Sequence, residues 1–343
     1  MRRSLAPDII ARRPDDVLAT VPYLLGFHPS ESLVVIALRR PRNRVVCTMR
    51  MDLPPIVDAG AVAEQLLAAA GNCQASGVLV IAYSADVEQA AGVATRAAAR
   101  FEAGGLPVVA VWRCDGSRWW CLCGSGRCCA SEGAGFDPTA QRCAAEAVSR
   151  GLVALTNRAE LAVSVAGPPT EQAAQMAALT AHADAALSAG ADAARPQAAL
   201  DLCGQRYVER FVAAYVRGRH RLTDGEVATL SAWLRRIPVR DAAWCLLEPA
   251  GVEPHIELWQ QVTRRAAPGY VAAPAALLAF AAWLAGRGAL SQCALDRVFA
   301  EDPAYSMGRL VEQALATGLP PTLWAPTSLA QLRAATLAQG HDP

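Results

Sequence analysis

The sequence predicts an α/β domain, a mixed sheet with covering helices, followed by an all-α helical domain. The expected division runs 1–165 and 166–343. Three observations carry this. Short β-branched runs alternate with amphipathic stretches through the first half. Some of those runs are joined by connections too short for anything but antiparallel hairpins. Strand-like runs then stop at Gly167-Pro168-Pro169, after which only helical periodicity remains.

In chain order, Pro14–Leu25 reads as a helix with Val17, Leu18, Val21 and Leu25 on one face. Ser32–Leu38 is a continuous apolar run, as a strand covered on both sides would be. Arg44–Met51 is its hairpin partner across Arg39-Arg-Pro-Arg-Asn43. Ala61–Ala70 is a helix, Gly77–Tyr83 a strand and Val87–Ala103 a long helix closed by Gly104-Gly105. Leu106–Arg113 is a strand, turned back by Cys114-Asp-Gly-Ser117 into Arg118–Cys123; Thr139–Gly151 closes the half as a helix.

The second half opens with an alanine-rich helix from Thr170 to about Leu187, then a small-residue break, Ser188–Pro196. Helices follow at Gln197–Arg217, Asp224–Arg235, Arg240–Glu248, Pro254–Arg264, Pro274–Ala285, Leu290–Ala300 and Tyr305–Ala316. Thr223-Asp-Gly-Glu226 has the form of a capping box and sets one helix start. No second copy of the Ala281–Pro303 pattern occurs at a ~34-residue period, so a bundle or non-repeating helical array is expected.

Composition excludes several classes. Hydrophobic residues make up 53% of 343 and charged residues 18%, enough for a large core and against wholesale disorder. Net charge is +1, with 32 Lys+Arg against 31 Asp+Glu, and no global field draws the chain to nucleic acid or anionic lipid. Every one of those cations is arginine. Without lysine there is no Walker A loop, no Schiff-base lysine and no kinase lysine. Between Arg265 and Arg287 no charge occurs, but Pro268, Gly269 and Pro274 shorten the apolar stretch below the ~20 residues of a membrane span. A buried helix is expected there, and no membrane partner. The opening Met1-Arg-Arg lacks an apolar segment behind it, so a reducing, cytoplasmic setting is expected for the eleven cysteines.

Three places are candidates for chemistry. The first is the loop Gly26-Phe-His-Pro-Ser-Glu-Ser32, which gathers His28, Ser30, Glu31 and Ser32 at a sheet end, where α/β folds hold ligands. Its alternative is a plain helix-to-strand turn with serines bonding local backbone. The second is the cysteine-rich turn. Cys123, Cys128, Cys129 and the carboxylate of Glu132 are the candidate zinc ligands, with Cys121, Cys114 or Cys143 as further donors. The absence of any C-x-x-C pair puts structural thiols ahead of a zinc site or a redox pair. The third is Arg240, beside Asp241 at a helix start, a candidate anion-binding arginine. The basic tip Arg39–Arg44 reads first as a solvated hairpin end; it lacks aromatic interleaving, which argues against nucleic acid. The five scattered histidines show no H-E-x-x-H spacing, Gly124-Ser-Gly126 fails as a dinucleotide fingerprint, and no G-x-S-x-G elbow is present.

Val21-Pro-Tyr-Leu-Leu-Gly-Phe-His-Pro-Ser-Glu-Ser-Leu-Val-Val35 resembles a bacterial family known as domain of unknown function 4192. The resemblance continues in the family's order through Arg118-Trp-Trp, Cys123, Cys128-Cys129, Glu132-Gly133, Arg158-Ala-Glu-Leu161, Val239-Arg-Asp-Ala-Ala-Trp244, Ala272–Leu278 and Asp302-Pro-Ala-Tyr-Ser-Met307. It implies a two-part layout and no particular activity. It also implies that Cys123, Cys128 and Cys129 are more typical of the pattern than Cys121, and that the His28 position often holds arginine.

The expected function is a non-catalytic binding or scaffold module whose helical half meets a protein partner or small ligand. The alternative is an enzyme, of hydrolytic type, with a site between the Gly26–Ser32 loop and the Cys123–Glu132 turn and with zinc as its candidate cofactor. The two readings separate on geometry, because the second requires those segments to meet.

Overall fold

The computed structural model describes residues 13–123, 132–149, 151–189, 197–218 and 220–339. It has a mixed sheet in the first half and helices after it. Two compact units are present: one runs to Leu161 and takes in Gly286–Ala289 and Gln313–Pro320, and the other holds the remaining helices.

In the first unit the chain passes through α1 (Pro14–Leu25), β1 (Ser32–Arg39), β2 (Arg44–Asp52), α2 (Ala59–Asn72), β3 (Gly77–Tyr83), α3 (Val87–Ala103), β4 (Val108–Cys114), β5 (Arg118–Cys121), β6 (Ala134–Gly135) and α4 (Arg142–Ser149). Among the described residues the sheet order is β2-β1-β3-β4-β5-β6. Only β3 and β4 run parallel, joined through α3; the other neighbours are antiparallel. β1 and β3 are buried along nearly their whole length, which is why their sequences are continuous rather than alternating. Leu33, Val35, Val78, Val80 and Ala82 share one core with Ala63 and Leu66 of α2 and Val93, Ala97 and Phe101 of α3.

Of the boundaries that differ from the sequence reading, two have a local cause. The strand predicted to Cys123 ends at Cys121, because its ladder to β4 closes with Trp112. The helix predicted from Thr139 starts at Arg142. The Asp137 carboxylate takes the backbone N–H and the hydroxyl of Thr139 and holds those residues in a turn.

In the second unit, α5 (Arg158–Val163) straddles the boundary and is followed by α6 (Thr170–Ala189), α7 (Gln197–Gly218), α8 (Asp224–Leu234), α9 (Ile237–Cys245), α10 (Glu253–Arg265), α11 (Ala272–Leu284), α12 (Gly288–Glu301), α13 (Ser306–Ala316) and α14 (Leu329–Gln339), with Gly288–Ala289 of α12 and Gln313–Ala316 of α13 belonging to the first unit. Most of the Ser188–Pro196 break lies outside the described residues. All of α11 is buried, as its lack of charge requires. It has no cap of its own at the N-terminus. The Glu301 carboxylate of α12 instead accepts the N–H groups of Gly269, Val271 and Ala272. The Thr223–Glu226 capping box forms as predicted. No helix among the described residues is long and apolar enough to cross a membrane.

Gly204 of α7 sits where a Cβ would lie 2.5 Å from both the Trp233 ring and Val239 Cγ2. Alanine favours a helix interior by about 1 kcal/mol over glycine, yet here the overlap with a closely packed indole reverses the sign. Gly204→Ala is expected to lose about 1–3 kcal/mol of stability. Urea denaturation checks it: a variant as stable as the parent would mean that α7 and α8 yield freely at this contact.

Candidate functional site

The loop between α1 and β1 is built by its own backbone. Gly26 ends α1 at φ 83°, a left-handed conformation that glycine enters without Cβ strain. Phe27 is buried, and the residues on either side of it bond to Leu155: Leu155 N–H donates to Gly26 O and His28 N–H to Leu155 O. That bridge presents His28, Ser30 and Glu31 outward, all three exposed, while Ser32 enters the sheet fully buried. The structure thus brings the four predicted loop residues to one end of β1.

The side chains of two of them, Ser32 and Glu31, are tied into the scaffold. Ser32 Oγ donates to Ser30 O at 2.6 Å and accepts from Arg50 Nε at 2.9 Å. Arg50 also pairs with Asp52 at 2.7 Å and lies over the Phe27 ring. Glu31, at φ 42°, accepts the Ser84 hydroxyl on its carboxylate at 2.9 Å, and its backbone carbonyl takes Leu53 N–H. Ser84 accepts Asp86 N–H in turn. The Ser84 hydroxyl therefore links the loop before β1 to the end of β3.

Sequence reasoning missed the next layer. Ser84 and Arg113 are both buried polar residues at the same sheet end. Arg113 donates to the carbonyls of Ser84 and Ala85 and stacks 4.2 Å from the Trp120 ring, against which Gly133 packs. One signal was available: an arginine near the end of an otherwise apolar strand, next to a run of tryptophans. Beside them Tyr83 keeps a buried hydroxyl with no partner, and burial holds its pKa well above the ordinary phenol range.

The predicted cysteine site divides. Cys123 and Glu132 are exposed, and Cys128 and Cys129 lie outside the described residues. Two of the other suggested donors are engaged elsewhere. Cys114 is buried, bonded by Gly116 N–H, and pushed up to about 12 by burial. Cys143 donates from α4 to Asp16 O of α1. No group of three or more His, Cys, Asp or Glu side chains among the described residues is placed to hold a metal ion. The two described ends of the turn do not meet the Gly26–Ser32 loop. β5 stands three strands from β1, about 14 Å across the sheet.

In the second unit Arg240 is 5% exposed and already has its anion. Its Nε and Nη2 hold one Asp241 oxygen at 3.0 and 2.6 Å, Nη1 donates to the Tyr305 hydroxyl at 3.3 Å, and the guanidinium lies over the Tyr305 ring. Trp244, one turn on, stacks with Trp324 and meets Phe280 edge-on. Segments 239–244 and 302–307, distant in sequence, thus meet at one ion pair. An external anion would have to displace Asp241.

Compared with known proteins, residues 14–322 match the family model described as Domain of unknown function (DUF4192). No curated protein and no solved structure gives a significant match.

Proposed function

The chain belongs to the DUF4192 family, whose description carries no activity, and we propose from its own residues that it is a non-catalytic binding module whose helical unit receives the partner. One observation carries this reading: the Ser32 and Ser84 hydroxyls and the Glu31 carboxylate at the sheet end are used as structural ties. Ser32 gives its proton to a backbone carbonyl and fills a lone pair with arginine, leaving no base to activate it. Ser84 does face a carboxylate, but it is 3% exposed and already accepts a backbone N–H, so a substrate carbonyl has no approach to it.

Two measurements on the full chain test the reading together. Incubation with activated ester, amide and phosphomonoester substrates is expected to give no turnover above that of a Ser32→Ala/Ser84→Ala variant. Quantitative capture from native lysate is expected to lose its bound species when exposed helical residues are changed, and to keep it when exposed residues of the sheet unit are changed. Turnover that drops about 100-fold in Glu31→Gln, with the melting temperature unchanged, would overturn the reading.

A further inference from the structure

We infer that the helical unit binds a small phosphorylated molecule in a cavity of about 570 Å³ formed by the lead into α6, the start of α8 and the end of α10. This rests on the binding-module reading and names the ligand class. The volume falls within the range of small-molecule sites. Arg221, Arg264 and Arg265 line it together with one carboxylate, Asp224.

Their roles differ. Arg265 is committed: it grips Asp224 at 2.6 and 3.1 Å and donates to Leu222 O, which fixes the cavity wall. Arg221 and Arg264 are exposed and have no acidic partner among the described residues. Three arginines against one aspartate leave two positive charges over the space, the complement of a phosphate monoester, which carries about −1.5 to −2 near neutral pH. A single carboxylate would neutralise half of that. Arginine is suited to the task, since its planar fork meets phosphate oxygens in bidentate fashion, and this chain has no lysine to offer instead.

The rest of the lining describes what the phosphate is attached to. Gly167, Pro168, Pro169 and Leu222 form an apolar wall, and Gln172 and Gln261 supply amides. The Gln261 amide nitrogen is anchored on the Tyr215 hydroxyl, so its carbonyl oxygen remains as an acceptor for a ligand hydroxyl. A concave site with a local charge excess, in a chain of net charge +1, fits a compact ligand better than an extended polyanion.

Calorimetric titration of the full chain with inorganic phosphate and with glycerol 3-phosphate, at matched ionic strength in chloride, tests the site. Saturable binding is expected for both, tighter for the organic ester, and weaker by at least about tenfold in Arg221→Gln/Arg264→Gln. Both residues are exposed, so that variant is expected to melt with the parent. Absence of saturable heat overturns the inference, and so does binding unchanged in the double variant. Heat seen only with RNA would assign the face to a polyanion and also overturn it. If both phosphates fail while lysate capture still depends on the helical unit, the binding-module reading stands alone. Turnover dependent on Glu31 would remove that reading whatever the titration gives.

Discussion

Arg240→Ala is expected to destabilise the protein by about 3 kcal/mol. Removing one partner of a buried ion pair leaves the other charge without compensation in a poorly solvated place, and such losses run to about 3–5 kcal/mol. The low end applies because Asp241 retains 28% of its side-chain exposure and water partly solvates it. The substitution also removes the hydrogen bond and the stacked cation at Tyr305. A control separates pairing from packing. Arg240→Met keeps most of the buried volume but orphans Asp241, whereas Arg240→Met/Asp241→Asn removes both charges and should recover most of the loss. Urea unfolding of the three variants reads this directly. A loss below about 1 kcal/mol for Arg240→Ala would mean that the pair behaves as a surface salt bridge, despite its burial.

The same ion pair shows where sequence reading succeeds and where it stops. The elements themselves were legible because the periodicity is strong. α1, β3 and α3 have the predicted ends, and the capping box sets the start of α8, since each depends on residues within one turn of the boundary. Arg240 could be singled out as an arginine expected at a helix start, although α9 begins three residues earlier at Ile237, but not its engagement by Tyr305, which lies sixty-five residues away. The same limit applies at the sheet end. Glu31 and Ser32 could be nominated from their loop, yet the groups that occupy them, Ser84 and Arg50, are supplied by β-sheet register. Gln313–Pro320 is a further case. Local pattern assigns it to the helical half, but Thr317 and Gly318 carbonyls accept from Asn72 and Cys73 at the end of α2, and it belongs to the first unit. Arg221 and Arg264 carry no signal in the sequence, because a cavity has no local signature. Forty-three residues separate them, and only the packing of α8 and α10 brings them to one wall.

A second large effect is expected with pH. His255 on α10 is 7% exposed, its Nδ1 has no partner, and burial lowers its pKa to about 4 from 6.5. Between those two values the unfolded chain binds a proton that the folded chain refuses. Acidification therefore favours unfolding. The stability that goes with the neutral imidazole is complete above about pH 6.5 and is withdrawn steadily as pH falls to about 4, about 3 kcal/mol in all. Carboxylates add their own losses at lower pH. The Thr223 N–H holds Glu226 below the usual carboxylate range, and the Thr139 hydroxyl does the same for Asp137, so each withdraws its contribution as pH falls from its ordinary unfolded-chain value to its lowered folded one. His255→Phe isolates the imidazole, because it keeps an aromatic ring of similar size without a group that titrates. Chemical denaturation from pH 7 to 4 is expected to show the parent losing stability across the whole interval while the variant stays nearly flat until the carboxylates titrate. Parallel profiles for the two proteins would show that His255 is solvated and takes up its proton in the folded state, and the prediction would fail.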